Sequence, residues 1–271
     1  MKTIATLPFS GKLGLFLMAF WLLLALFGPM LAPYSPGSFV AYDVFDGISA
    51  EHWLGSDYLG RDVFSRLLSG ARYTVGLAAA ATLMAILLGT SLALTTAVHG
   101  GWVDEALSRF MDTLISIPSK IFALVLVAAF GSSLALLLLI ATVIYVPGNY
   151  RIARSLAVNL NQMDYVQVAR ARGEGGVYLA VREILPNMIH PLLADMGLRF
   201  VFIVLLLSGL SFLGLGVQPP DADLGSLVRE NISGLGEGAP AILAPAIAIA
   251  TLTIGVNLLI DALPGRGRQI T

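Results

Sequence analysis

Apolar runs of bilayer length alternate with polar islands along this chain, and the alternation predicts its elements. An uncharged run from Leu13 to Leu31 follows Lys2 and Lys12. It is close to the roughly 20 residues that a helix needs to cross about 30 Å of hydrocarbon. The run is long for a signal-peptide core of roughly 7 to 15 residues, and Ala32 and Pro33 make a poor cleavage site, so it reads as a retained first span. Tyr34 to Arg72 is polar, with proline, glycine, aromatic and mixed-charge positions, and reads as an ordered loop with an amphipathic helix at the membrane surface. A second span runs from about Thr74 to Val98, where Gly76, Ala80, Gly89 and Ala93 permit close helix approach.

From Asp104 to Pro118 charged residues mix with apolar ones at helical spacing, so a helix starts there before it enters lipid, with Arg109 and Asp112 placed at i and i+3 to pair. Leu107 to Val146 is twice the length of one crossing and divides into third and fourth spans at Gly131–Ser133. Pro147 and Gly148 are expected to end the fourth span, with Asn149 and Tyr150 anchoring at the interface or, as the alternative, forming a gate. A fifth span covers about Met196 to Leu215, the GLGVQPP segment after it reads as a structural turn, and a sixth runs from about Ala241 to Leu263.

Between the fourth and fifth spans lies the island Asp164 to Pro191. Tyr165 to Arg172 has no proline or glycine and stops at Gly173, the residue that most easily takes a left-handed helix-ending conformation. Glu174 to Gly176 make a turn. A second short helix is expected from Val177, and Pro186 disrupts it or marks entry into the next element, because proline supplies no N–H and crowds the preceding turn. The shape implied is two short helices at an angle on the membrane surface.

The fold class that follows is all-α and polytopic: six transmembrane helices with a polar loop between spans 4 and 5. Residues 1–72 form an N-terminal span and outer loop, and residues 73–265 a core of spans 2 to 6. Composition agrees, with 57% hydrophobic and 12% charged residues, against about 25% charged in a soluble domain. With the N-terminus inside, Lys2, Lys12, Arg109, Lys120, Arg151, Arg154, Arg170, Arg172, Arg182, Arg199, Arg266 and Arg268 fall on or near the inner side, and Arg61, Arg66, Arg72 and Arg229 outside. This is the bias of the positive-inside rule, and it puts both termini and the island in the cytoplasm.

Charge and motif content exclude several chemistries. A net charge of -1 without a basic cluster argues against nucleic-acid binding. There is no cysteine, and His52, His99 and His190 lack ligand spacing, so no metal centre is expected. No phosphate-binding loop of the GxxxxGK[ST] type occurs, and no catalytic constellation can be assembled. Asp112, Asp195, Arg199 and Asp261 are expected toward span ends, leaving Lys120 as the one ionisable group deep in a span, which gives an ion-coupled carrier little support. A non-transporting membrane scaffold is a further alternative.

The residues Tyr165, Gln167, Val168, Ala169, Arg170, Ala171 and Gly173, followed by Ile184, Leu185 and Pro186, resemble the EAA loop of binding-protein-dependent ATP-binding-cassette importer permeases. LGSDYLGRDVFSRLLSGAR, GGWVDEALSRFMD, PGNYRIARS and LSFLGLGVQPPDADLGS are similar, in the right order, to dipeptide, oligopeptide and nickel permeases, and most like the second of their two permease subunits. The pattern departs from the family at Gln167, where glutamate is usual, at Val168 for alanine, at Arg172 where an apolar residue is common, and at Leu224 for tryptophan. The resemblance implies a permease in a bacterial inner membrane, working with a second permease, two ATPase subunits that bind ATP and Mg, and an extracytoplasmic solute-binding protein. It implies no cofactor or catalytic residue in this chain. In that scheme Val168, Ala169 and Gly173 supply shape and close approach in the coupling loop, Gln167, Arg170 and Arg172 supply polar contacts to the ATPase or to lipid phosphate, and Arg172 leads through Gly173 to Glu174.

Overall fold

The computed structural model describes residues 8–41 and 43–262, so Lys2, Leu263, Arg266 and Arg268 lie outside the described residues. Its helices are α1 (Phe9–Leu31), α2 (Val63–His99), α3 (Gly101–Ile115), α4 (Ser119–Phe130), α5 (Leu134–Asn161), α6 (Asp164–Ala171), α7 (Gly176–Tyr178), α8 (Leu185–Phe212), α9 (Leu224–Glu230) and α10 (Pro240–Ala262). A π-helical stretch, Leu179–Ile184, joins α7 to α8, so Gly176–Phe212 is one continuous helix of 37 residues. Among the described residues five helices are long and apolar enough to cross a membrane, and the bent pair α3 and α4 makes a sixth when counted as one span. The all-α polytopic reading therefore holds.

Small residues decide how closely these helices pack. Between α1 and α10 a side chain at Gly14 would meet the Gly255 carbonyl oxygen at 2.7 Å and the Leu259 nitrogen at 2.6 Å, so the two backbones touch. The Trp21 indole donates to Thr251 Oγ1 at 3.2 Å across the same seam. The broadest seam joins α2 to α5, where a Cβ on Gly89 would strike the Val146 carbonyl at 2.9 Å. Along it Ala78, Ala81 and Ala85 of α2, with Ala141, Ala153 and Ala157 of α5, are fully buried. Gly89 and Ala93 thus do what their size suggested, whereas Gly76 and Ala80 face outward.

Several boundaries differ from the sequence reading, each for a local reason. Among its described residues the loop between α1 and α2 contains no amphipathic helix: Asp62 caps Ser65 N at 2.8 Å and starts α2 at Val63, so the apolar periodicity of VFSRLLSGAR belongs to the first turns of the second span. Pro147 does not end α5, which continues to Asn161. Nor does Pro186 break the helix it enters. The π-helical stretch directly before it lets the chain pass a residue that cannot donate to the Arg182 carbonyl, with the Leu185 N–H bonding back to Ala180. The expected second surface helix is consequently the root of the fifth span.

The third span is broken. Pro118 forbids helical continuity at Ile117, and α3 and α4 meet at 87°. Arg109 pairs with Glu105 at 2.7 Å, not with Asp112, because i,i−4 alignment on α3 favours the glutamate.

Asn149 and Tyr150 are no interfacial anchors: they are 0% and 2% exposed. Asn149 donates to Asp195 Oδ2 at 2.9 Å and accepts from Thr90 at 3.2 Å, while Asp195 Oδ1 meets Arg199 Nη2 at 3.1 Å. Asp195 and Arg199 therefore sit within the long helix Gly176–Phe212, buried where α2, α5 and α8 meet. Sequence position hid the contacts between helices, since Thr90, Asn149 and Asp195 are 46 or more residues apart, whereas Asp195 and Arg199 stand at i and i+4.

Candidate functional site: the α6 platform

The turn between α5 and α6 is short and fully bonded, with Met163 N–H reaching the Leu160 carbonyl at 3.0 Å. From Asp164 the eight residues DYVQVARA form α6, and Asp164 in its first turn complements the helix dipole. Its far end is built by Gly173. With φ of +84°, Gly173 lets its own N–H reach the Arg170 carbonyl at 3.0 Å and Glu174 N–H reach the Ala169 carbonyl at 3.3 Å. These are the two bonds of a Schellman cap, which satisfy carbonyls that the helix leaves open.

One face of α6 is locked to the body. Val166 and Ala169, three apart and both 0% exposed, pack in a cluster with Leu179, Ile184, Met188, Ala157 and Met111. Ile184 lies in the π-helical stretch, so α6 rests against the root of the helix that becomes the fifth span. Polar ties reinforce this. The Gln167 side-chain amide donates to the Asn161 carbonyl at 2.7 Å, Arg170 donates to Asn161 Oδ1 at 2.9 Å, and Asn161 donates to the Ala97 carbonyl of α2 at 2.8 Å. Asn187 of α8 donates to the Tyr165 hydroxyl at 3.3 Å. Burial pushes the Tyr165 phenol above its usual range, with the Glu183 carboxylate adding to the effect.

The other face is open. Tyr165, Val168, Ala171 and Arg172 are exposed, as are Val177, Tyr178 and Val181 at the start of the long helix; Val177 is 80% exposed. The residues singled out in the sequence thus separate into two groups. Ala169, Gln167, Arg170 and Ile184 bind α6 to the chain itself. Tyr165, Val168, Ala171 and Arg172 face outward, Glu174 and Leu185 are half-buried, and Pro186 is exposed on the helix root. Gln167 and Arg170 make their polar contacts within the molecule, where Asn161 is the shared acceptor. Val166 and Asn161 were missed; the i,i+3 spacing of Val166 and Ala169 was the available signal for the former, and nothing local marked the latter.

Valine at Gly173 would place a β-branched residue at positive φ, a strain of about 1–3 kcal/mol. We expect the protein to insert normally while the α6 turn loses its cap, seen as faster proteolysis between Arg170 and Gly176 in inside-out vesicles. Unchanged cleavage would refute the cap's importance.

A family model described as "Binding-protein-dependent transport system inner membrane component" matches residues 85–268, which include α6 and its supports. The chain is 31% identical over 92% of its length, and 82% of the relative's, to the dipeptide transport system permease protein DppC of Alkalihalophilus pseudofirmus. It is 32% identical, over 92% of its length and 83% of the relative's, to the glutathione transport system permease protein GsiD of Pectobacterium atrosepticum. The GsiD protein of Escherichia coli O157:H7 is 31% identical over 89% of this chain and 80% of its own.

Proposed function

Because this chain belongs to the family of binding-protein-dependent transport system inner membrane components, and is a permease subunit of an ATP-binding-cassette importer, we propose that it forms half of a peptide-conducting path and receives its driving force through α6. The family is one of transport permeases and not of enzymes. ATP and Mg are bound and turned over in two separate ATPase subunits, a homologous permease completes the path, and a soluble binding protein delivers solute from outside. Both termini and α6 lie in the cytoplasm. Peptides are the proposed cargo because similar chains carry dipeptides and glutathione by name.

The observation that supports coupling at α6 is its mechanical connection. Val166 and Ala169 seat α6 on Leu179 and Ile184, at the base of a continuous 37-residue helix about 55 Å long, and Asn161 ties the same corner to α2. A displacement of α6 by ATPase closure is carried as a rigid-body movement into two long spans. The outward Val168, Ala171 and Arg172 are the surface on which an ATPase cleft would press.

Purification in mild detergent after co-expression with co-encoded subunits tests this reading. Val168→Asp, which puts a charge on the exposed apolar face, is expected to release the ATPase while the second permease stays bound. An intact loop that retains no ATPase would overturn the assignment. So would undiminished ATP-driven uptake by the variant.

A further inference from the structure

The break between α3 and α4 carries polar groups that lipid would not tolerate. A helix of 12 residues, α4 extends about 18 Å, well short of about 30 Å of hydrocarbon. Its outer end turns directly at Gly131–Ser133 into α5, against which it packs. On the other side of the break, Asp104 and Ser108 of α3 bond Arg154 and Tyr150, which lie about 30 Å and 24 Å along α5 from its outer end. The break at Ser116–Pro118 therefore lies inside the membrane thickness.

Asp112, Thr113, Ser116, Ser119 and Lys120 surround it, and all are exposed. Among the described residues neither Asp112 nor Lys120 makes an ion pair, the Arg109 guanidinium being held by Glu105 and that of Arg154 by Asp104. No side chain caps the first turn of α4, so its leading N–H groups also lack protein partners there. Open backbone and unpaired charge at this depth are compatible with a water-filled cavity and not with acyl chains.

We propose that this break lines the solute path, with Asp112 taking the ammonium group and Lys120 the carboxylate of a zwitterionic solute. The proposal rests on the importer reading, and its cargo is the short peptide named there. One anion and one cation on either side of a helix break complement such a solute, whereas either charge alone would select against its opposite end. Thr113, Ser116 and Ser119 keep the surface wetted. In ground-state terms Asp112 and Lys120 are contact residues that bind cargo during passage. They have no part in ATP turnover.

The absence of native cysteine makes the test direct. Ser116→Cys and Val125→Cys are prepared in the assembled importer and treated with a membrane-impermeant, negatively charged methanethiosulfonate. Ser116→Cys is expected to react at least about tenfold faster than Val125→Cys, because a lipid-facing thiol neither ionises nor meets the reagent. A mixture of di- and tripeptides should slow the reaction, its N-acetylated counterpart should not, and Asp112→Asn placed in the Ser116→Cys background should remove the slowing. Equal protection of both cysteines would mean that lipid or a second permease seals this face, and would overturn the proposal. No slowing, or equal slowing by acetylated and free peptides, would overturn the zwitterion site. ATPase retention is scored on the same preparations: an ATPase kept beside an unreactive Ser116→Cys sinks only this inference, while an ATPase lost from the intact protein sinks the coupling reading. The labelling needs no ATP and still decides the break.

Discussion

Asp195→Leu is expected to destabilise the protein by about 3–5 kcal/mol, because it leaves Arg199 buried without its counter-charge. The Arg199 side chain is 13% exposed and that of Asp195 4%, so water can do little to replace the lost contact. Two Arg199 nitrogens reach Asp195, at 3.1 and 3.3 Å, and Asn149 donates to the same carboxylate. Removing the carboxylate therefore strands both donors, and Asn149 is itself wedged where α2 comes closest to α5 at Gly89. Lowered resistance to thermal or detergent-induced unfolding checks the expectation. The double variant Asp195→Leu with Arg199→Met should recover most of the loss, since it removes both charges together. A single variant as stable as the parent would show that the pair contributes nothing. A double variant no better than the single would place the cost in packing.

The polar network was invisible in the sequence for a reason that applies to much of this fold. Hydropathy reads each segment against lipid, and on that measure Asn149, Asp195 and Arg199 are interruptions to be moved to span ends. In the fold Asn149 of α5 meets Asp195 of α8 across helices, which no local window can register, although the Asp195–Arg199 pair at i and i+4 lay within reach of one. The same limit explains the Arg109 error, where two candidate partners on one helix differed only in geometry, and the mistaken second surface helix, where a π turn absorbed Pro186. What was legible was local or repetitive. Span number followed from the length of apolar runs, the close seam at Gly89 and Ala93 from residue size, and the end of α6 from a single glycine whose positive φ is required by its cap. The inward face of α6 was half legible: Ala169 was picked out for close approach, while Val166, which does as much, lay outside the family pattern that drew attention to its neighbours.

The outer end of the molecule is expected to come apart on Arg66→Met. Arg66 is 3% exposed, and its Nη1 contacts Asp57 at 2.6 Å and Glu230 at 2.7 Å. Arg61 bonds the same two carboxylates at 2.7 and 2.9 Å, giving a closed set of two cations and two anions. This set joins three parts of the chain: the loop before α2, the first turn of α2, and α9. Among its described residues the loop has no helix of its own; besides these charges it is held by isolated bridges between Phe39 and Arg61 and between Ser56 and Asp62, by His52 on Asp62 and by Trp53 against Phe64. Methionine preserves most of the side-chain volume but leaves two buried carboxylates competing for Arg61, which costs about 3–5 kcal/mol. Tyr58 N–H, which reaches Asn231 Oδ1 at 3.1 Å on the α9 side, is the next contact to be lost. Protease added from the extracytoplasmic side should then cut the chain between Tyr34 and Asp62 in the variant and spare the parent. Adding Glu230→Gln removes the surplus anion and should restore much of the protection, leaving Arg61 with Asp57. Protection that survives Arg66→Met would mean that the loop is held by its other contacts without these charges; protection absent from the rescued double variant would mean that Glu230 binds the loop through more than charge balance.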